Sequence, residues 1–268
     1  MLISQLAEAL LERFPAASAE SWDHVGLSAG NPAEEVTSVL CALDATKSNV
    51  VAAAEAGANV LLTHHPVYIK APDAFVPAQS SSPSASATVY EAIRRGVTII
   101  SLHTNLDRSH EARELLPQLM GYTAKTSLEH AGDPDALGLG SLCDIEPTTV
   151  AALAAHAAKT FNSEPRAWGS PDAQVTKLAY LGGSLGEFGE YALQEGAQAI
   201  ICGEAGYHIC QDLSLRGLAV ILLGHDRSEQ SFVEILAKAA TEAGIDPALV
   251  HKIKPSHQWW TYTKGDCS

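Results

Sequence analysis

Two histidines stand side by side at His64 and His65, inside the run Thr-His-His-Pro-Val-Tyr that covers residues 63–68. On an extended chain, neighbouring side chains point to opposite faces. The pair cannot easily share one ion, but a turn at Pro66 lets them reach two. Asp107 closes the run His-Thr-Asn-Leu-Asp (103–107) and offers an oxygen ligand, with Thr104 and Asn105 placed to support it. His225 and Glu229, in Gly-His-Asp-Arg-Ser-Glu (224–229), are four apart and share one face of a helix. Glu229 falls one turn before Phe232 on the inward side, where an unpaired carboxylate is costly and a cation relieves that cost. Plainer roles exist for each group. The histidines suit a turn, Asp107 suits the cap of a helix starting near Ser109, and Glu229 suits a solvated first turn.

Together these residues suit two divalent first-row ions, with a single ion as the alternative. Imidazole favours zinc, iron, nickel or copper, and carboxylate oxygen extends the range to manganese. The opposed directions of His64 and His65 predict that His64 pairs with Asp107 and His65 with His225, with Glu229 shared. A two-metal site of this kind fits hydrolysis, because water bound to a divalent ion ionises near neutral pH. His103 or Glu204 then moves the proton. His208 is a further polar group at the same edge, and a core or capping role fits each of these three as well. Tyr207, Trp259 and Trp260 could form an aromatic wall or simply pack. His110, His130, His156, His251 and His257 have no supporting pattern. No phosphate-binding loop, Gly-x-Ser-x-Gly elbow or Gly-x-Gly-x-x-Gly fingerprint occurs.

The elements that must position these groups are legible as short apolar runs, each followed by a helical pattern. Val36–Asp44, Ala58–Thr63 and Val97–His103 read as strands in the first half, with helices from Lys47 and through Ala87–Gly96 between them. Leu137–Ile145, Val175–Gly183, Ala197–Cys202 and Leu218–Gly224 read as strands in the second, and the last helix repeats Phe232, Ile235, Leu236, Ala239 and Ala240. This alternation predicts an α/β protein with mostly parallel sheets covered by helices. In such sheets ligands bind beyond the carboxyl ends of strands, where Asp44 and every polar cluster above fall. A Pro-, Ser- and Ala-rich stretch, 72–86, reads as a long surface loop. Residues 129–140 read as a link, giving two α/β lobes at 1–128 and 129–268.

Composition narrows the partners. The chain has 268 residues, 46% of them hydrophobic and 18% charged, which excludes a disordered protein. A net charge of −14 repels phosphate backbones and anionic lipid, so nucleic-acid binding is not expected. No apolar run approaches the roughly 18 residues that span a bilayer. The N-terminal pattern carries Glu8, Glu12 and Arg13 and is not that of a signal peptide. The five cysteines, Cys41, Cys143, Cys202, Cys210 and Cys267, form no framework, which fits a reducing cytoplasm.

The blocks Ser-Trp-Asp-His-Val-Gly-Leu-Ser-Ala-Gly (21–30), Leu-Thr-His-His-Pro-Val-Tyr (62–68), His-Thr-Asn-Leu-Asp, Gly-Glu-Ala-Gly-Tyr-His (203–208) and Gly-His-Asp-Arg-Ser-Glu occur in the order seen in the Nif-three-like family, which this chain resembles. That family also carries the name type 2 GTP cyclohydrolase I. The resemblance implies two α/β lobes, a dinuclear metal site between them, and a ring-like homohexamer. It implies His64, His65, Asp107, His225 and Glu229 as ligands. His24 stands where Asn is common, and residues 108–116 depart from the usual Gly- and Asn-containing pattern. The large inserted middle domain of some relatives is absent. The family name implies opening of the imidazole ring of GTP by water. However, the chain offers no basic cluster for a triphosphate, and its net charge disfavours that anion unless metal or local Arg or Lys offsets it. A small-molecule hydrolase is one reading; a metal-binding, metal-delivery or partner-binding scaffold without turnover is the other.

Overall fold

Helix α1 (Ile3–Arg13) opens the chain and turns Ile3, Leu6, Ala7 and Leu10 into the interior. Strand β1 (Gly26–Ala29) follows. The chain then alternates through β2 (Val39–Ala42), α2 (Lys47–Glu55), β3 (Val60–Thr63), α3 (Ser84–Arg95) and β4 (Thr98–Ser101). The one-turn α4 (Thr104–Asp107) and α5 (His110–Leu119) complete the first half. The second half runs β5 (Ser141–Thr149), α6 (Val150–Phe161), β6 (Arg166–Trp168), β7 (Gln174–Tyr180) and α7 (Phe188–Gln194). It continues through β8 (Ala199–Cys202), α8 (Tyr207–Leu215), β9 (Ala219–Leu222), α9 (His225–Glu229), α10 (Phe232–Glu242) and β10 (Val250–Lys252). This computed structural model describes residues 1–254 and 259–260, so His257 and Cys267 lie outside the described residues.

Two five-stranded sheets result, one ordered β1-β4-β3-β2-β10, with four strands from the first half and β10 from the second, the other ordered β5-β7-β8-β9-β6. The inner strands β2, β3, β4, β8 and β9 are buried along their whole length. That is why they read as unbroken apolar runs, with no polar face to alternate. They pair in parallel, whereas β1, β5 and β6 are antiparallel edges on β4, β7 and β9. β10 comes from beyond the second sheet yet pairs in parallel with β2 of the first.

The two halves share a core. One hydrophobic cluster holds Leu6, Leu62 and Leu102 together with Leu178, Phe232 and Leu236. α3 begins at Ser84, inside the stretch read as a loop. Ser86 is buried there, its hydroxyl donating to the Ala74 carbonyl (2.7 Å) and accepting from the Val76 amide (2.9 Å). Those bonds fold the preceding strap back onto the helix it leads into. Among the described residues no helix is long and apolar enough to cross a membrane, and Cys41, Cys143, Cys202 and Cys210 are buried free thiols.

Candidate metal centre

Strand ends deliver the polar groups. β3 stops at Thr63, so His64 and His65 leave the carboxyl edge of the first sheet. β4 stops at Ser101, and α4 then carries His103 at its cap and Asp107 at its end. α9 begins just beyond β9 and holds His225 and Glu229 one turn apart. Asn105 braces the first of these turns: its carbonyl oxygen accepts from the His103 amide (2.9 Å) while its amide donates to the Phe14 carbonyl (2.7 Å).

Four imidazoles are fixed in the same way, each by its Nδ1. His64 meets the Leu102 carbonyl (2.9 Å), His65 the Asp44 carboxylate (2.8 Å), His103 the Asp23 carboxylate (2.8 Å) and His225 the Glu204 carboxylate (2.9 Å). Anchoring one ring nitrogen on a carbonyl or carboxylate is the usual support of a histidine whose other nitrogen binds metal. The Glu229 side chain is buried among the free nitrogens. Its Oε2 lies 2.9 Å from His65 Nε2 and 3.1 Å from His225 Nε2, and its Oε1 lies 3.8 Å from His64 Nε2. Asp107 Oδ1 is 3.4 Å from the same His64 nitrogen. One donor atom each from His64, His65 and His103 lies within 4.8 Å of the others, as do those of His65, His225 and Glu229.

The donor chemistry fits a divalent ion. His64 Nε2 and Asp107 Oδ1 are buried and make no hydrogen bond. A carbonyl can only accept, so His64 carries its proton on Nδ1 and turns a lone pair towards the Asp107 oxygen. An ionised Asp107 facing that lone pair in a dry site is costly, and a cation between the two relieves the cost.

Charge is distributed to match. Burial pushes His64 down to about 4, and burial together with the neighbouring Glu229 raises Asp107 well above the usual carboxylate range. For His65 the penalty of burial is outweighed by Asp44 and Glu229, which hold it at about 10. The bond to Glu229 outweighs burial for His225 and lifts it to about 9. Burial alone would raise Glu229, yet the imidazoles of His225, His64 and His65 keep it well below its ordinary value.

All five residues expected as ligands therefore meet at one place. His64 and Asp107 stand on the Oε1 side of Glu229, and His65 and His225 on the Oε2 side. His103, expected to move a proton, stands among the donors rather than apart from them. Glu204 is engaged with His225 Nδ1 and with the Ser184 hydroxyl (2.8 Å). His208 turns to Tyr207, which packs edge-on against Trp168, so neither reaches this centre.

Sequence reasoning missed two supports, Asp23 and the Gly182-Gly183 pair, and placed a third, Asp44, at the strand-end edge without giving it a partner. Asp23 accepts from His103 Nδ1, from the His24 amide and from both the amide and hydroxyl of Thr104. Burial opposes its charge, but these bonds hold it well below the usual carboxylate range. It is ionised and accepts a hydrogen bond from the Nδ1–H of His103, leaving Nε2 as the ring nitrogen that Asp23 does not engage. Asp44 does for His65 what Asp23 does for His103, and it ends the strand pattern visible in sequence. The other missed support is Gly182-Gly183. A side chain at Gly183, whose φ is +65°, would press into Glu229 Oε1, and one at Gly182 would meet Glu229 Cγ at 3.2 Å. A paired glycine after a strand was the available signal.

Comparison with known proteins agrees in fold and in sequence. The family description Duf34/NIF3 (NGG1p interacting factor 3) matches residues 1–254. A "GTP cyclohydrolase 1 type 2 homolog" of Streptomyces coelicolor is 29% identical over 265 residues, covering 96% of this chain and 88% of that protein. The homolog of the same name from Lactococcus lactis is 30% identical over 232 residues, covering 84% of this chain and 86% of the relative. Among solved structures, a Bacillus cereus protein related to NIF3 superposes with a TM-score of 0.86 at 19% identity, covering 98% of this chain and 99% of the other. Staphylococcus aureus protein SA1388 gives 0.83 at 22% identity with the same coverage.

Proposed function

The chain belongs to the Duf34/NIF3 family, and from that membership and the geometry around Glu229 we propose that it is a dinuclear divalent-metal-dependent hydrolase acting on a small molecule. The observation that carries this reading is the buried Glu229 carboxylate, whose Oε1 faces His64 and whose Oε2 faces both His65 from the first sheet and His225 from the second. His64 and Asp107 would hold one ion and His65 and His225 the other, with Glu229 available to both. The donor set would suit zinc, iron, manganese or nickel. When bound, they supply Lewis acidity and make water a nucleophile near neutral pH.

The remaining chemistry belongs to the side chains. Asp23 fixes the ring and tautomer of His103, whose Nε2 accepts a proton from the attacking water and returns it to the leaving group. Glu204, with Ser184 behind it, holds the His225 ring. The relatives' name points to GTP as a first substrate to try. We also take from the family resemblance a homohexamer working in the cytoplasm; light scattering that gives a 28.2 kDa particle at micromolar concentrations overturns the hexamer.

A second reading, metal delivery without turnover, draws on the half-open side of the centre: the His225 side chain is 38% exposed and its anchor Glu204 57%. Elemental analysis of purified protein followed by a panel of amide, ester and ring-opening hydrolase substrates separates the two. Metal-dependent turnover that disappears in His65→Ala supports the hydrolase. Full metal loading with no turnover across the panel supports delivery.

A further inference from the structure

On the exposed side of His225 a cavity of about 680 Å³ opens, within the range that holds small organic ligands. Two indoles, Trp259 and Trp260, form part of its wall. They are 46% and 80% exposed, which is unusual for the largest side chains in a protein and leaves their faces free for a ligand. Trp259 is held in place. Its indole N–H donates to Asp226 Oδ1 (3.0 Å), and its ring edge lies 3.0 Å from where a Cβ on Gly224 would stand. Gly224 has φ +100°, so the strand end both turns and leaves room for the ring. Arg166, at the start of β6, is the one Arg or Lys among the described lining residues and makes no hydrogen bond or ion pair among the described residues. Glu164 and Glu204 line the same cavity.

We propose that this cavity binds a planar aromatic or heteroaromatic compound bearing a single negative group, with the ring on Trp259 and Trp260 and the anion on Arg166. The inner wall is His225, so a ligand held there lies against the metal centre. The proposal rests on the hydrolase reading only in naming that reading's substrate class. Charge sets the limit of one. One guanidinium, with Glu164 and Glu204 in the same wall and −14 on the chain, gives a monoanion one partner outside the metal centre, whereas a nucleoside triphosphate would have only the metal ions for its remaining charge.

The test is calorimetric binding to the full chain, which needs no turnover. The probes are 2-naphthoate, the neutral 2-naphthol, the non-aromatic cyclohexanecarboxylate, and GTP. Expected are saturable binding of 2-naphthoate, weaker binding of the other three, and a loss of about tenfold or more in naphthoate affinity in both Trp260→Ala and Arg166→Gln. Arg166→Gln leaves the affinity for 2-naphthol unchanged. Both positions are exposed, and unchanged melting temperature and metal content in the variants show that fold and centre are intact. Equal binding of cyclohexanecarboxylate, tighter binding of GTP, or unaltered naphthoate affinity in both variants overturns the proposal. If naphthoate binds as expected while no aryl amide or ester is turned over, the cavity assignment stands and the hydrolase reading falls. If turnover is found but neither variant changes KM, the cavity assignment falls and the hydrolase stands.

Discussion

His65 and Glu229 are 164 positions apart in the chain and 2.9 Å apart in the structure, Nε2 to Oε2. One leaves the first sheet after β3; the other sits on the one-turn helix after β9. Neither sheet alone holds a complete donor set, so the centre depends on how the two halves are docked.

Replacing Glu229 with Gln keeps the shape and removes the charge shared by the imidazoles. Metal content should fall from about two ions per chain to about one or fewer. Elemental analysis after dialysis checks this, and an unchanged ion count refutes the shared role.

Asp23→Asn should leave the ions in place and lower kcat by roughly 10²–10⁴, because His103 then loses the partner that fixes its tautomer. His103→Ala should behave alike, keeping metal and losing rate. Loss of metal in His103→Ala would instead make His103 a ligand, as its place within 4.8 Å of His64 and His65 also permits.

Gly183→Ala tests the space around the carboxylate. A side chain at φ +65° costs about 1–2 kcal/mol in backbone strain, and the added methyl displaces Glu229. The melting temperature should drop by roughly 2–8 °C and metal occupancy should fall with it. Ala at Gly57, where φ is +76° but nothing lies within 4 Å, is the control that isolates strain from displacement.

Chelation should lower the melting temperature, and returning divalent metal should restore it. An ion present at a hundredfold its Kd stabilises the folded chain by about 2.7 kcal/mol. Scanning calorimetry with and without chelator reads this directly. A melting temperature indifferent to chelator removes the ions from the native structure.

Much of this centre was legible because its strongest signals are local. The adjacent His64-His65 pair, the four-residue spacing of His225 and Glu229, and unbroken apolar runs such as Val60–Thr63 need no knowledge of distant contacts. The parallel sheets followed from those runs alternating with helices. The supports were hidden because they are made by distance. Asp23 meets His103 across 80 positions, and nothing near Asp23 advertises that contact. β6 and β10 have three residues each, too short for a period to show. α6 is rich in alanine, which is apolar on both faces and blurs the helical contrast. Gly182 and Gly183 read as a turn, and only the Glu229 side chain shows what the missing side chains make room for.

β10 gives the fold an unusual order of completion. Its residues Val250, His251 and Lys252 lie beside Val39, Leu40 and Cys41 of β2, and the Ile253 amide donates to the Cys41 carbonyl (3.0 Å). Without that strand, β2 is a bare, apolar edge with unpaired backbone groups, open to pairing with any extended chain. During synthesis β2 emerges among the first elements, and the strand that shields it emerges after the whole second sheet. The sheet begun first is therefore sealed last, and the growing chain passes through a long interval in which that edge is available to other chains.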